Sequence, residues 1–100
     1  MAQRERLIGQ VVKLGQVVMT QGVSILCEEQ PFLPLALLAR HKGGDWGDTC
    51  DEDWDTNNWS LLNGERIVSV YKNACGTGET VWVITERDRS STTLLLPSEY

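Results

Sequence analysis

The chain has 100 residues, 41% of them hydrophobic and 23% charged, which is material for one hydrophobic core and not for two, so a single domain over residues 1–100 is expected. A formal net charge of −5 and an isoelectric point near 4.7 withhold the broad basic surface that supplies most non-specific affinity for nucleic acid. This argues against a DNA or RNA partner and makes a protein partner with a basic surface the easier match.

Other exclusions are as direct. The longest apolar run, Phe32–Ala39, is interrupted by Pro34 and falls far short of the roughly 20 residues of a membrane-spanning helix. Cys27, Cys50 and Cys75 cannot all pair within one chain, and no charged and then apolar leader with a small-residue cleavage site opens the sequence. Reduced thiols and a cytoplasmic location follow as expectations. The charge is concentrated: residues 1–42 carry five basic and three acidic groups, residues 43–65 carry seven acids and no base, and residues 66–100 balance four against four.

In chain order, residues 1–14 suggest no element and are read as a loosely ordered lead-in. Gly15–Thr20 reads as a short extended segment. Thr20 then offers a cap for a helix starting at Gln21 and ending near Glu29. Pro31 and Pro34 bracket a break, and Pro34 suits the first turn of a second helix through His41, with Arg40, His41 and Lys42 at its negative end and Gly43-Gly44 as its stop. Asp51, Glu52, Asp53 and Asp55 crowd the start of a third helix, where acids meet free amides and the positive dipole end. Trp54, Asn58, Leu61 and Leu62 fall on one of its faces, and Asn63-Gly64 ends it. Arg66–Lys72, Thr80–Thr85 and Thr92–Leu96 are β-branched runs that predict three strands, with Gly76 and Gly78 in the loop between the first two.

Helices first and strands after predict an α+β domain. Two or three helices pack on one face of a three-stranded antiparallel meander, with Gly15–Thr20 as an additional short N-terminal strand.

The densest motif is Arg40-His41-Lys42-Gly43-Gly44-Asp45-Trp46-Gly47-Asp48. Glycines around a tryptophan and two carboxylates suit a pocket-forming loop, and a helix stop followed by a packed indole accounts for the same residues. His41 is the only histidine and hence the one ordinary general acid–base group near neutrality, with Asp45 as a partner; a helix-end histidine satisfied by free carbonyls is the competing reading. Thr85–Ser90 alternates charge, so that Glu86, Arg87 and Arg89 are further candidates beside His41 for a compact nuclease-like site. A solvated turn explains that run equally.

Asp51–Asn57 places oxygens at alternate positions as a calcium loop does, but Thr56 stands where the loop needs glycine and Leu62 where it needs a bidentate glutamate. The cysteines and His41 have no zinc-site spacing. No metal and no cofactor are therefore expected. Four tryptophans, Trp46, Trp54, Trp59 and Trp82, exceed what so small a core requires. The expected contact face is Asp45, Trp46, Asp48, Asp51, Asp53 and Asp55, acids beside indoles.

Leu37–Asp48, Glu52-Asp53, Asn57-Asn58, Val81–Pro97 and the closing Glu99-Tyr100 together resemble a family of small bacterial plasmid- and phage-associated proteins, whose members carry labels such as plasmid-related protein or type I restriction endonuclease subunit M. The resemblance implies a mobile-genetic-element setting and almost no mechanism; the concentrated charge beside the tryptophans adds the expectation of a small accessory protein acting by protein–protein interaction, directed at restriction or another defence. Methyl transfer is not implied, since it needs a doubly wound domain with a glycine-rich cofactor turn, and Gly76-Thr-Gly78 lies in a hairpin.

Overall fold

A computed structural model describes residues 4–100, and its element order is β1 (Gln16–Met19), α1 (Gln21–Leu26), α2 (Leu33–Lys42), α3 (Asp51–Asn63), β2 (Ile67–Tyr71), β3 (Val81–Thr85), β4 (Ser91–Leu95) and a C-terminal 3-10 turn, Pro97–Glu99. The helices form for local reasons visible in the chain. Thr20 caps α1 by accepting from the Val23 amide at 3.4 Å. Pro34 sits in the first turn of α2. The start of α3 holds three acids, and its end is Gly64 in the left-handed region at φ 70°, a conformation glycine adopts without a Cβ penalty. The α3 cap itself is Cys50, whose sulfur accepts from the Asp53 amide at 3.4 Å.

The sheet has four strands in the order β1-β4-β3-β2. The three C-terminal strands form the expected antiparallel meander, with Ile67 opposite Thr85 and Thr85 opposite Thr92. The extra strand β1 joins parallel to β4, with Gln16 beside Ser91 and Met19 beside Leu94. The sheet is therefore mixed and not a three-stranded antiparallel one. The helical stretch between β1 and the meander supplies the long crossover that parallel pairing requires.

Alternation along the strands sends Ile67, Ser69 and Tyr71 of β2, Val81, Val83 and Thr85 of β3, and Thr92 and Leu94 of β4 into the interior. The helices cover this face, α1 against β4, α2 against β3 and α3 against β2. Two apolar clusters result. Val23, Cys27, Leu37 and Leu38 pack on Tyr71, Val81, Val83 and Leu94, and Val12, Trp46, Trp54 and Ile67 pack together at the other end. Burial pushes the Cys27 thiol pKa up, with a smaller contribution from nearby Cys75.

Residues 4–14, read from sequence as a loose lead-in, are tied to the body. Val12 is buried and its amide donates to the Lys42 carbonyl at 3.0 Å, Arg6 donates to the Gly43 carbonyl at 2.8 Å, and the Glu5 carbonyl accepts from the Trp54 indole at 2.7 Å. The helical face of α3 also differs from expectation. Trp54, Asn57 and Ser60 are its buried residues and Leu62 is exposed, because α3 abuts the edge of β2, where polar groups are wanted. No helix of the described residues is long and apolar enough to cross a membrane.

Candidate functional site

His41, the leading acid–base candidate, has no solvent exposure. Its Nδ1 lies 2.6 Å from Ser69 Oγ and its Nε2 lies 2.8 Å from Thr85 Oγ1, and Thr85 Oγ1 is 2.7 Å from Thr92 Oγ1. The Thr92 hydroxyl hydrogen goes to the Leu14 carbonyl at 2.7 Å. A hydroxyl has one hydrogen to give, so Thr85 must donate to Thr92 and accept from His41 Nε2–H. The network thus places a hydrogen on Nε2, and burial, which disfavours the charged ring, makes the Nε2–H tautomer the neutral form, with Nδ1 bare to accept from Ser69. Burial, and to a lesser degree the positive charge of Arg89, lower its pKa from 6.5 to about 3. Both ring nitrogens are saturated and no substrate reaches them; this is a polar stitch joining α2, three strands and the lead-in.

The other catalytic candidates have separate occupations. Glu86 faces Arg66 at 3.7 Å and Arg87 faces Glu65 at 3.7 Å. The Arg89 guanidinium donates to the carbonyls of Glu65 at 2.6 Å, Ser60 at 3.0 Å and Glu86 at 3.2 Å, closing the C-terminal end of α3. No hydrogen bond or ion pair among the described residues joins His41 to Asp45, Glu86, Arg87 or Arg89.

The Gly43–Asp48 loop is an edge cover. Val70 donates to the Trp46 carbonyl at 3.1 Å, the Asp48 amide donates to the Val70 carbonyl at 2.6 Å, and the Lys72 amide donates to Asp48 Oδ2 at 2.9 Å. Gly47 pairs with Val70 as an isolated bridge at φ 74°, and a Cβ there would strike the Val70 carbonyl and the Tyr71 ring. The Asp45 carboxylate is bound by Arg40 at 2.8 Å and by the Gly47 amide at 3.0 Å. Burial pushes its pKa up, but these hydrogen bonds outweigh it and hold the group below the usual carboxylate range. Trp46 has no exposure; its indole donates to Asn58 at 2.9 Å and its ring meets those of His41 and Trp54 edge-on. Trp46 therefore leaves the expected contact face because its ring is buried, while the half-buried Asp45 and the exposed Asp48 stay at the surface with their carboxylates already hydrogen-bonded.

What remains is the solvent side of α3. Asp51, Glu52, Asp53 and Asp55 are exposed, with Asp51 near Arg4 at 3.2 Å. Glu52, Asp55, Trp59 and Leu62 follow one another at steps of three and four residues and so share one face. On it Trp59 is 56% and Leu62 59% exposed. Trp59 was not in the expected contact face. The signal was its helical spacing from Asp55 and its offset from Trp54, which must lie on the opposite side if Trp54 is core.

Beside this face a cleft between α3 and β2 is lined by Asp53, Thr56, Arg66, Val68 and the 5% exposed Thr49, whose hydroxyl has no hydrogen-bond partner among the described residues. Among the described residues no group of three or more His, Cys, Asp or Glu side chains converges to hold a metal ion. Comparison of the chain with protein-family models, with curated proteins and with solved structures gives no match in any of the three.

Proposed function

We propose that this protein is a small binding module that acts by contact with another protein through the solvent side of α3. Trp59 and Leu62 are the apolar anchors, and Asp51, Glu52, Asp53 and Asp55 select a basic surface around an apolar pocket. The observation that carries this reading is the open indole of Trp59 on a helix whose other side is already packed. Half-open indoles ringed by polar groups are characteristic of interface anchors. The acids add long-range attraction to a basic partner and raise the association rate.

The setting rests on the sequence resemblance carried chiefly by Leu37–Asp48 and Val81–Pro97. In that setting the module is an accessory factor of a mobile genetic element, and its target is a component of host restriction or of another defence system.

The test is capture from bacterial lysate by the immobilised chain, with Trp59→Ser and the triple change Asp51→Asn, Asp53→Asn, Asp55→Asn run in parallel. A specific protein retained by the native chain and lost by both variants, at unchanged melting temperature, supports the reading. An identical bound set for all three chains overturns it.

A further inference from the structure

The two edges of the sheet are treated in opposite ways. On the β2 edge the outward N–H and C=O of Val68 and of Val70, and the amide of Lys72, each have a partner. Asn57 gives and takes a hydrogen bond with Val68, at 2.7 and 3.2 Å, the Trp46–Asp48 segment pairs with Val70, and Asp48 accepts from Lys72. On the β1 edge no described residue covers the strand. Gln16 donates to the Ser90 carbonyl just before β4 and Thr20 to that of Leu94 within it, so in a parallel ladder the N–H and C=O of Val17 and Met19 turn to the open side. No described residue bonds them, and all four side chains of β1 are exposed, Val17, Val18 and Met19 at 42–45%. Open, apolar edge strands are templates for another strand, and folded proteins otherwise blunt them with charge, proline or a bulge. Gly15–Thr20 contains no charge and no proline.

We propose that β1 is a self-complementary edge through which two copies of this chain pair antiparallel, joining two four-stranded sheets into one of eight strands. A two-fold axis at Val18 sets Val18 against its own copy as a non-hydrogen-bonded pair. Val17 then lies opposite Met19 of the second copy, and these two exchange both of their backbone bonds, as do Met19 and the copy's Val17. An axis at Val17 would instead place Met19 against Gly15, whose φ of 65° is not a strand conformation.

Charge supports the same occupant. Lys13, exposed and in no ion pair among the described residues, stands before the strand. The Glu99 carboxylate is held at the strand's far end by Thr20 Oγ1 at 2.6 Å and the Gly22 amide at 3.0 Å. An antiparallel two-fold brings Lys13 of each copy toward Glu99 of the other, whereas a parallel neighbour would set like charges together. β1 is the edge opposite β2, against which α3 packs, so the pairing leaves the α3 face free and is independent of its use.

The test is sedimentation equilibrium of the purified chain from 1 to 200 µM, together with amide hydrogen exchange at both ends of that range. The expected result is a mass rising to twice 11.2 kDa, with Val17 and Met19 amides gaining protection as concentration rises while Val68 and Val70 amides stay unchanged. Val17→Pro removes an outward donor and leaves the β4 ladder intact, and Val18→Lys sets two cations across the axis; each returns the chain to monomer with an unaltered circular dichroism spectrum. A native chain that stays at 11.2 kDa at 200 µM overturns the proposal. So does a dimer in which Val17 and Met19 exchange at a concentration-independent rate.

Discussion

Asn57 holds Val68 by both of its backbone groups, donating Nδ2–H to the carbonyl at 2.7 Å and accepting the amide on Oδ1 at 3.2 Å. A side-chain amide has the same donor and acceptor as a peptide group. One buried residue of α3 thereby replaces a fifth strand and docks the helix at the sheet edge.

Asn57→Ala leaves a part-buried donor and acceptor of Val68 unsatisfied, which costs about 2 to 3 kcal/mol. Urea unfolding followed by tryptophan fluorescence reads the loss directly. Asn57→Asp keeps only the acceptor and restores less than half of it.

His41 makes stability depend on pH in the mildly acidic range, before the carboxylates begin to take up protons. Its pKa is 6.5 when unfolded and about 3 when folded. The unfolded chain therefore takes up a proton as pH falls through 6.5 and the folded chain does not, so stability is full above 6.5 and declines downward toward 3. The lowered carboxylates of Asp45, Asp88 and Glu99, with ordinary values of 3.8, 3.8 and 4.5, add their own loss only at lower pH. Between pH 7.5 and 5 the unfolding free energy falls by about 2 kcal/mol. Nitrogen NMR finds the proton on Nε2 throughout that range.

Arg89 adopts φ 59° in the β3–β4 turn and spreads its guanidinium over three carbonyls. An ammonium has the charge but not the planar fork, so Arg89→Lys destabilises by about 2 kcal/mol. Binding by the α3 face, measured below the melting temperature of the variant, is unchanged.

Thr49 buries a hydroxyl with no hydrogen-bond partner among the described residues. Valine has the same shape without the group that must be desolvated, and Thr49→Val raises stability by about 1 kcal/mol. Calorimetry shows it as a higher melting temperature.

The sequence was most legible where the signal is local. Thr20 as a cap, Pro34 in a first turn, the acids opening α3, Gly64 closing it and the three β-branched runs all act within a few residues, and each element formed within one to three residues of its expected bounds. Legibility ended where partners are distant. The parallel placement of β1 on β4, the pairing of Asn57 with Val68 and the route from His41 through Thr85 to Leu14 join residues separated by 11 to 78 positions. Periodicity does not encode such separations.

The contact face divides the same way. Composition alone located the acids and counted the tryptophans. Only packing decided which indoles are spent, because Trp46 and Trp54 fill the space between α3 and β2. Trp59, one face further around the same helix, has no space to fill. Sequence determined which elements form, since capping, propensity and alternation are short-range. Tertiary structure decided which side chains remain free to bind, because burial is a property of the assembled surface and of no single segment.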